Sequence, residues 1–247
     1  MAHEHERNII LFCYAHPDDE SFGPGGTIAM YADRPDTEVH LLCATRGEEG
    51  QLGTPPLCMR AELGRVREQE LREAAAILGI TEVHFWPYRD KLLSRVARKQ
   101  LALDVQTLIY KLNPHVVVTF ARHGITGHPD HTAIHHAVHT AVLNDPRTPV
   151  RKLYDQTYPA SIAAARGLPH GDPDESITTT ISVERYVPKV IAALKAHRTQ
   201  HAVVEKAFPG FHAGEADDIF SLNYYMLRWS AADASDAVKE TDLLACL

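Results

Sequence analysis

The chain has 247 residues, with 25 Lys and Arg against 32 Asp and Glu, a formal net charge of −7 with histidine neutral. That length suits one large α/β domain with a substantial core, and the acidic balance argues against a nucleic-acid-binding surface. The 45% hydrophobic and 23% charged residues are ordinary for a soluble enzyme, and no stretch approaches the roughly 20 apolar residues needed to span a bilayer. Cys13, Cys43, Cys58 and Cys246 form no CxxC pair, and the polar N-terminus lacks the apolar core of a signal peptide. Free thiols and a cytoplasmic location are therefore expected.

Residues 8–15 (NIILFCYA) read as a buried strand, and 25–32 as a helix beyond a Gly-rich turn. Residues 38–45 (EVHLLCAT) are a second strand, and 60–78 carry a helical apolar stripe that Gly79 stops. A third strand at 82–86, a helix at 96–112, a β-branched fourth strand at 115–120 (HVVVTF) and a helix at 130–143 follow. Such alternation implies parallel strands joined by right-handed crossovers, with helices on both faces. The second half is less regular. Strands are expected at 152–158 and 178–183, helices at 161–166 and 184–197, and loops at 167–175 and 208–216. A last ordered element is expected at 223–229, before an acidic, Ala-rich tail beyond Ser230 that frays or forms a terminal helix. With no internal repeat or linker, 1–247 is expected to be a single domain, a core of about 8–145 completed by elements from about 146–247.

Two clusters carry the chemistry. Ala15-His16-Pro17-Asp18-Asp19-Glu20 follows the first strand, and Gly127-His128-Pro129-Asp130-His131 follows the fourth. In open α/β sheets the ligand site lies at the carboxyl ends of the strands, where both clusters fall. Adjacent carboxylates repel, and a divalent metal resolves that conflict. His16, Asp19 and His131 supply a nitrogen and oxygen donor set suited to a catalytic zinc, which keeps a water beside three protein ligands. A metal-free polar cluster is the competing reading. Asp18 is placed as general base, or alternatively as a helix cap. His128 is placed as donor to an oxyanion or leaving group. Asp130 either orients the His128 ring or serves as a helix N-terminal acid. His135, His136 and His139 share the helix with His131 and read as ordinary histidines, although an HxxxH metal pair is open to them. Gly23-Pro24-Gly25-Gly26 matches no phosphate-loop pattern and reads as close backbone approach. Arg67 and Asp90 are candidate sugar contacts, and Glu48 faces the same mouth.

Taken together, AHPDDE, TRGEEG at 45–50, RVREQEL at 65–71, GHPDH and the later Ala196-His197-Arg198-Thr199-Gln200 resemble the PIG-L/LmbE-like family of zinc N-deacetylases. The resemblance implies a Rossmann-like, mostly parallel fold and removal of an acetyl group from an N-acetylglucosamine-type amide. It implies one Zn2+ per chain on His16, Asp19 and His131, with Asp18 as base. His128 and Asp130 would stabilise the oxyanion, and Arg67, with weaker matches at Glu48 and Asp90, would contact substrate. The implied partner is a small N-acetylated amino sugar, with room for a homo-oligomer. Thr126 stands where the mycothiol-pathway deacetylase has a tyrosine, and Arg122-His123 where many relatives have Pro-Asp. An amidase acting on thiol conjugates is the nearest alternative activity. A non-catalytic sugar- or nucleotide-binding module is the more distant one.

Overall fold

The computed structural model describes residues 7–214, 221–232 and 239–247. The polar N-terminal residues 1–6, the end of the expected 208–216 loop and much of the tail after Ser230 lie outside the described residues. Strand β1 (Asn8–Tyr14) is central, with Ile10 through Tyr14 fully buried. That burial explains why it reads as an unbroken apolar run rather than an alternating one. It pairs in parallel with β2 (Thr37–Thr45) on one side and β4 (Val116–Phe120) on the other. Beyond these, β3 (Glu82–Tyr88) and β5 (Lys152–Thr157) extend the parallel sheet. Then β7 (Leu222–Ser230) pairs antiparallel with β5, and β6 (Thr179–Ser182) antiparallel with β7. The order is β3-β2-β1-β4-β5-β7-β6.

Two helix layers cover the sheet. A short helix α1 (Asp19–Phe22) follows β1, and α2 (Gly25–Ala32) packs with α3 (Leu63–Leu78). On the other face α4 (Arg98–Leu112) lies against α6 (Pro129–Leu143), with the single turn α5 (Gly124–Gly127) leading into α6. The chain thus reverses its winding between β1 and β4, which opens a crevice beyond their carboxyl ends. Gly79 closes α3 at φ +84, its N–H donating to the Ala75 carbonyl.

The second half departs from expectation in three places. The expected helix at 184–197 begins as a 3₁₀ turn, and regular helix α8 covers only Val187–Ala196 after α7 (Ala160–Ala165). Helix α9 (His201–Ala207) was not foreseen, because Ala-His-Arg-Thr-Gln separates it from α8 without a Gly or Pro stop signal. The described end of the chain neither frays nor forms a helix. Leu243 is fully buried and Asp242 accepts a 2.6 Å bond from the Tyr31 hydroxyl. The Gly-rich turn reads as foreseen: a Cβ on Gly26 would stand 2.5 Å from Val183 Cγ2, and one on Gly23 2.4 Å from Gln156 Nε2.

Candidate active site

The loop after β1 is bent by Asp18, whose φ of +112° is rare outside glycine and stands at the centre of the first cluster. This bend turns His16 and Asp19 toward the start of α6, where His131 projects from its first turn. His16 Nδ1 lies 3.1 Å from His131 Nε2. Asp19 Oδ1 is 3.3 Å from that Nε2, and Asp19 Oδ2 is 3.6 Å from His16 Nδ1. Zn–N bonds of about 2.0–2.1 Å in a tetrahedral site hold ligand atoms roughly 3.3–3.4 Å apart, so the two ring nitrogens suit one ion. Asp19 presents a different oxygen to each ring, and His128 joins the same two rings in a candidate metal-binding group.

The remaining ring nitrogens are spoken for. His131 Nδ1 donates to the Gly124 carbonyl at 2.9 Å, leaving Nε2 as the lone-pair atom. His16 Nε2 sits 3.1 Å from Asp90 Oδ1 and 3.5 Å from Asp130 Oδ2, an ion-pair approach rather than a linear hydrogen bond. Carboxylates behind a ligating histidine orient it and raise its basicity. Burial alone would lower the His16 pKa, yet the bonds to Asp130, Asp19 and Asp90 outweigh it and push the ring well above its ordinary value. Three buried carboxylates around one ring demand positive charge there. Against the cost of burial, His131 and His16 hold Asp19 well below the usual carboxylate range, and His16 keeps Asp90 at about 2.

Asp18 borders the cavity of the site and pairs with Arg67. Its Oδ2 accepts a 3.0 Å bond from Arg67 Nη2, and Arg67 also donates to the carbonyls of Pro17 and Gly47. Burial pushes Asp18 up to about 7, with Arg67 pulling the other way. Gly47 is required beside this arginine, since a Cβ there would stand 2.0 Å from Arg67 Nη1. His128 is the N-cap of α6, and its Nδ1 accepts the Asp130 backbone N–H at 3.2 Å. Its proton in the neutral form is therefore on Nε2, free to donate. Burial first, and then the neighbouring His16, hold its pKa below the ordinary value.

Not every expected role matches the geometry. The Asp130 carboxylate does not meet His128. It accepts from the Lys91 backbone N–H at 2.7 Å and faces His16, so it orients His128 only through its own backbone N–H. Arg67 is buried against the metal loop and Asp90 against His16, although both border the cavity. Glu48 does not line the cavity; its Oε1 accepts the Asp90 backbone N–H at 3.1 Å. Thr126 lines it, and His123 faces Asp172 Oδ2 at 3.0 Å.

Three supports escaped the sequence reading. Glu20, fully buried, accepts the Asp18 backbone N–H at 2.9 Å and lies 2.8 Å from His197 Nε2. Glu70 takes two bonds from Thr199, and Gln200 exchanges bonds with the Gln51 backbone. The Ala-His-Arg-Thr-Gln segment is thus a brace for the metal loop and its neighbour. The signal lay in Glu20 and Glu70, charged residues on the inner sides of their elements, but their partner is more than a hundred residues away.

His16, Asp18, Asp19, His128 and His131 all line one cavity of about 540 Å³, whose outer wall includes Phe22, Val203 and Phe208. A family model described as GlcNAc-PI de-N-acetylase (PIG-L) matches residues 11–142. The chain is 35% identical over 200 residues to a probable N-acetyl-alpha-D-glucosaminyl L-malate deacetylase 2 of Bacillus anthracis, covering 81% of this chain and 84% of that protein. It is 34% identical over 279 residues to a 1D-myo-inositol 2-acetamido-2-deoxy-alpha-D-glucopyranoside deacetylase of Acidothermus cellulolyticus, covering 96% and 94%. In fold it resembles an N,N'-diacetylchitobiose deacetylase from Pyrococcus horikoshii, with a TM-score of 0.66 at 21% identity over 89% of this chain and 83% of that one. With the strand-end clusters, the sheet order and these likenesses in agreement, the chain belongs to the PIG-L family of deacetylases, hydrolases of amide bonds.

Proposed function

We propose that this protein is a zinc-dependent hydrolase that removes the acetyl group from an N-acetylglucosamine-type amide. The observation that carries the reading is the convergence of His16 Nδ1, His131 Nε2 and the Asp19 carboxylate beside Asp18 and His128 in one cavity. His16, Asp19 and His131 would hold the zinc ion, whose chemistry there would be Lewis-acid polarisation of the acetamide carbonyl and acidification of the attacking water. Asp18 takes a proton from that water at Oδ1, because Oδ2 is engaged by Arg67. With its pKa pushed up to about 7 by burial, the Asp18 carboxyl titrates near neutrality, the range that suits a general base at neutral pH. His128 Nε2–H donates to the oxyanion that develops on the former carbonyl oxygen. As this collapses the C–N bond breaks, and the amine leaves with a proton delivered by Asp18, which took one from the water, or by His128, giving acetate and the free amine. Asp90 and Asp130 hold the His16 ring, and Arg67 holds Asp18, so these three position rather than react.

Among the described residues no helix is long and apolar enough to cross a membrane. Cys13 and Cys43 are buried free thiols, which supports our placing the reaction in the reducing cytoplasm. The test is acetate release from GlcNAc-inositol, GlcNAc-malate, diacetylchitobiose and mycothiol-type thiol conjugates by zinc-loaded protein. Metal-dependent acetate release from at least one acetamido sugar is expected. Cleavage of only the thiol conjugates, or of none, would overturn the reading.

A further inference from the structure

At the opposite end of the strands from the active site, one short motif occurs twice. Thr37-Glu38-Val39-His40 opens β2, and Thr81-Glu82-Val83-His84 leads into the adjacent edge strand β3. Successive side chains on a strand alternate faces, so each Glu lies on the same face as the His two residues on. The parallel register sets His40 opposite Glu82 and Leu42 opposite His84, which brings the two rings together diagonally. They stack at 5.4 Å, and their side chains are only 7% and 9% exposed.

The inner nitrogens, His40 Nδ1 and His84 Nε2, lie 3.2 Å apart. The outer ones each face a carboxylate: His40 Nε2 is 3.6 Å from Glu38 Oε2, and His84 Nδ1 is 3.6 Å from Glu82 Oε1. His40 Nε2 is buried with no hydrogen-bond partner. Counting protons exposes a conflict. If either inner nitrogen carries its ring's proton to bond the other, that ring turns a bare outer lone pair toward a carboxylate. If both outer nitrogens are protonated, as the carboxylates favour, two inner lone pairs meet head on. A divalent cation resolves this by accepting both inner lone pairs and leaving both outer N–H groups to the carboxylates, and His40, Glu82 and His84 form a candidate metal-binding group. The inner spacing also matches the 3.1 Å between His16 Nδ1 and His131 Nε2.

We propose that His40 and His84, backed by Glu38 and Glu82, form a second divalent-metal site of zinc type, separate from the catalytic centre. The ion staples edge strand β3 to β2. Imidazole donors suit Zn2+, Co2+ or Ni2+ rather than Mg2+ or Ca2+.

The test is Co2+ titration of the metal-stripped full-length protein, followed by absorbance and by metal content after desalting. Wild type is expected to take two equivalents, His84→Ala one, His131→Ala one, and the double variant none. His84→Ala should keep its metal-supported deacetylase rate within twofold, because neither His84 nor its partners His40 and Glu82 line the cavity. Zinc should raise the melting temperature of His131→Ala and not that of the double variant. Glu82→Gln, half-exposed and mild, should weaken the second equivalent by about 10–100-fold, the scale for removing a carboxylate behind a ligating histidine. Two equivalents retained in His84→Ala, or no metal taken by His131→Ala, would overturn the proposal without touching the assignment of the catalytic centre.

Discussion

Asp18→Asn separates base from ligand. The backbone tolerates the change, since asparagine is among the few residues that enter left-handed conformations readily, and Asp18 sits at φ +112°. Arg67 loses a charged partner at 3.0 Å but keeps the Gly47 and Pro17 carbonyls, and the amide oxygen can replace the carboxylate as acceptor. Stripping a buried ion of its only partner costs about 3–5 kcal/mol. With three acceptors retained, the expected loss is nearer about 1–3 kcal/mol, short of unfolding a typical domain. Catalysis suffers more. General-base removal is worth about 10²–10⁴ in rate, or roughly 3–5 kcal/mol of barrier at about 1.36 kcal/mol per tenfold. The assay is steady-state acetate release by zinc-loaded wild type and variant, with metal content measured on the same samples and stability by thermal melt. Full metal occupancy, a melt lowered by a few degrees and turnover down at least a hundredfold are expected. Turnover within tenfold of wild type at full occupancy would remove Asp18 as the base, and loss of metal would make it a ligand.

His131→Ala should abolish tight metal binding at the catalytic centre and with it the activity, as metal analysis and kinetics would show; undiminished activity would place that centre elsewhere. His128→Ala, by removing the Nε2 donor, should lower kcat about 10²–10³-fold while changing KM far less, and loss of zinc instead would make His128 a ligand. Asp130→Asn should act through His16, weakening metal affinity by about 10–100-fold, so that excess zinc restores much of the rate. His197→Gln tests the brace by pH. Although burial lowers the His197 pKa, Glu20 outweighs it and the net shift is upward. A raised folded pKa contributes stability that is complete below the unfolded value of about 6.5 and fades as pH rises through the folded value. The melting-temperature gap between wild type and His197→Gln should therefore be widest in mild acid and narrow as the pH rises through the folded pKa; a gap that widens with pH would refute the pairing.

The sequence by itself determined the parallel half of the sheet and the donor set. Strands buried on both faces leave long apolar runs, such as 8–14 and 116–120, and helices of fifteen residues leave stripes, so local pattern sufficed for β1 to β4, α3, α4 and α6. The candidate donor set, His16, Asp19 and His131, was legible because two His and Asp clusters fall at the ends of neighbouring strands. The tertiary structure decided what each carboxylate faces. Asp130 precedes His131 in sequence, yet helix geometry sends its carboxylate to His16 and the Lys91 backbone. Arg67 and Asp90 read as substrate contacts from sequence; both border the cavity, and only the tertiary structure reveals that Arg67 also bonds Asp18 and that Asp90 faces His16. The pairings of Glu20 with His197 and of Glu70 with Thr199 span 177 and 129 positions. The twin Glu-Val-His motifs acquire their meaning only when β2 and β3 lie side by side. Periodicity records which face of an element is buried, whereas the partner across that buried face is fixed only when the chain closes on itself.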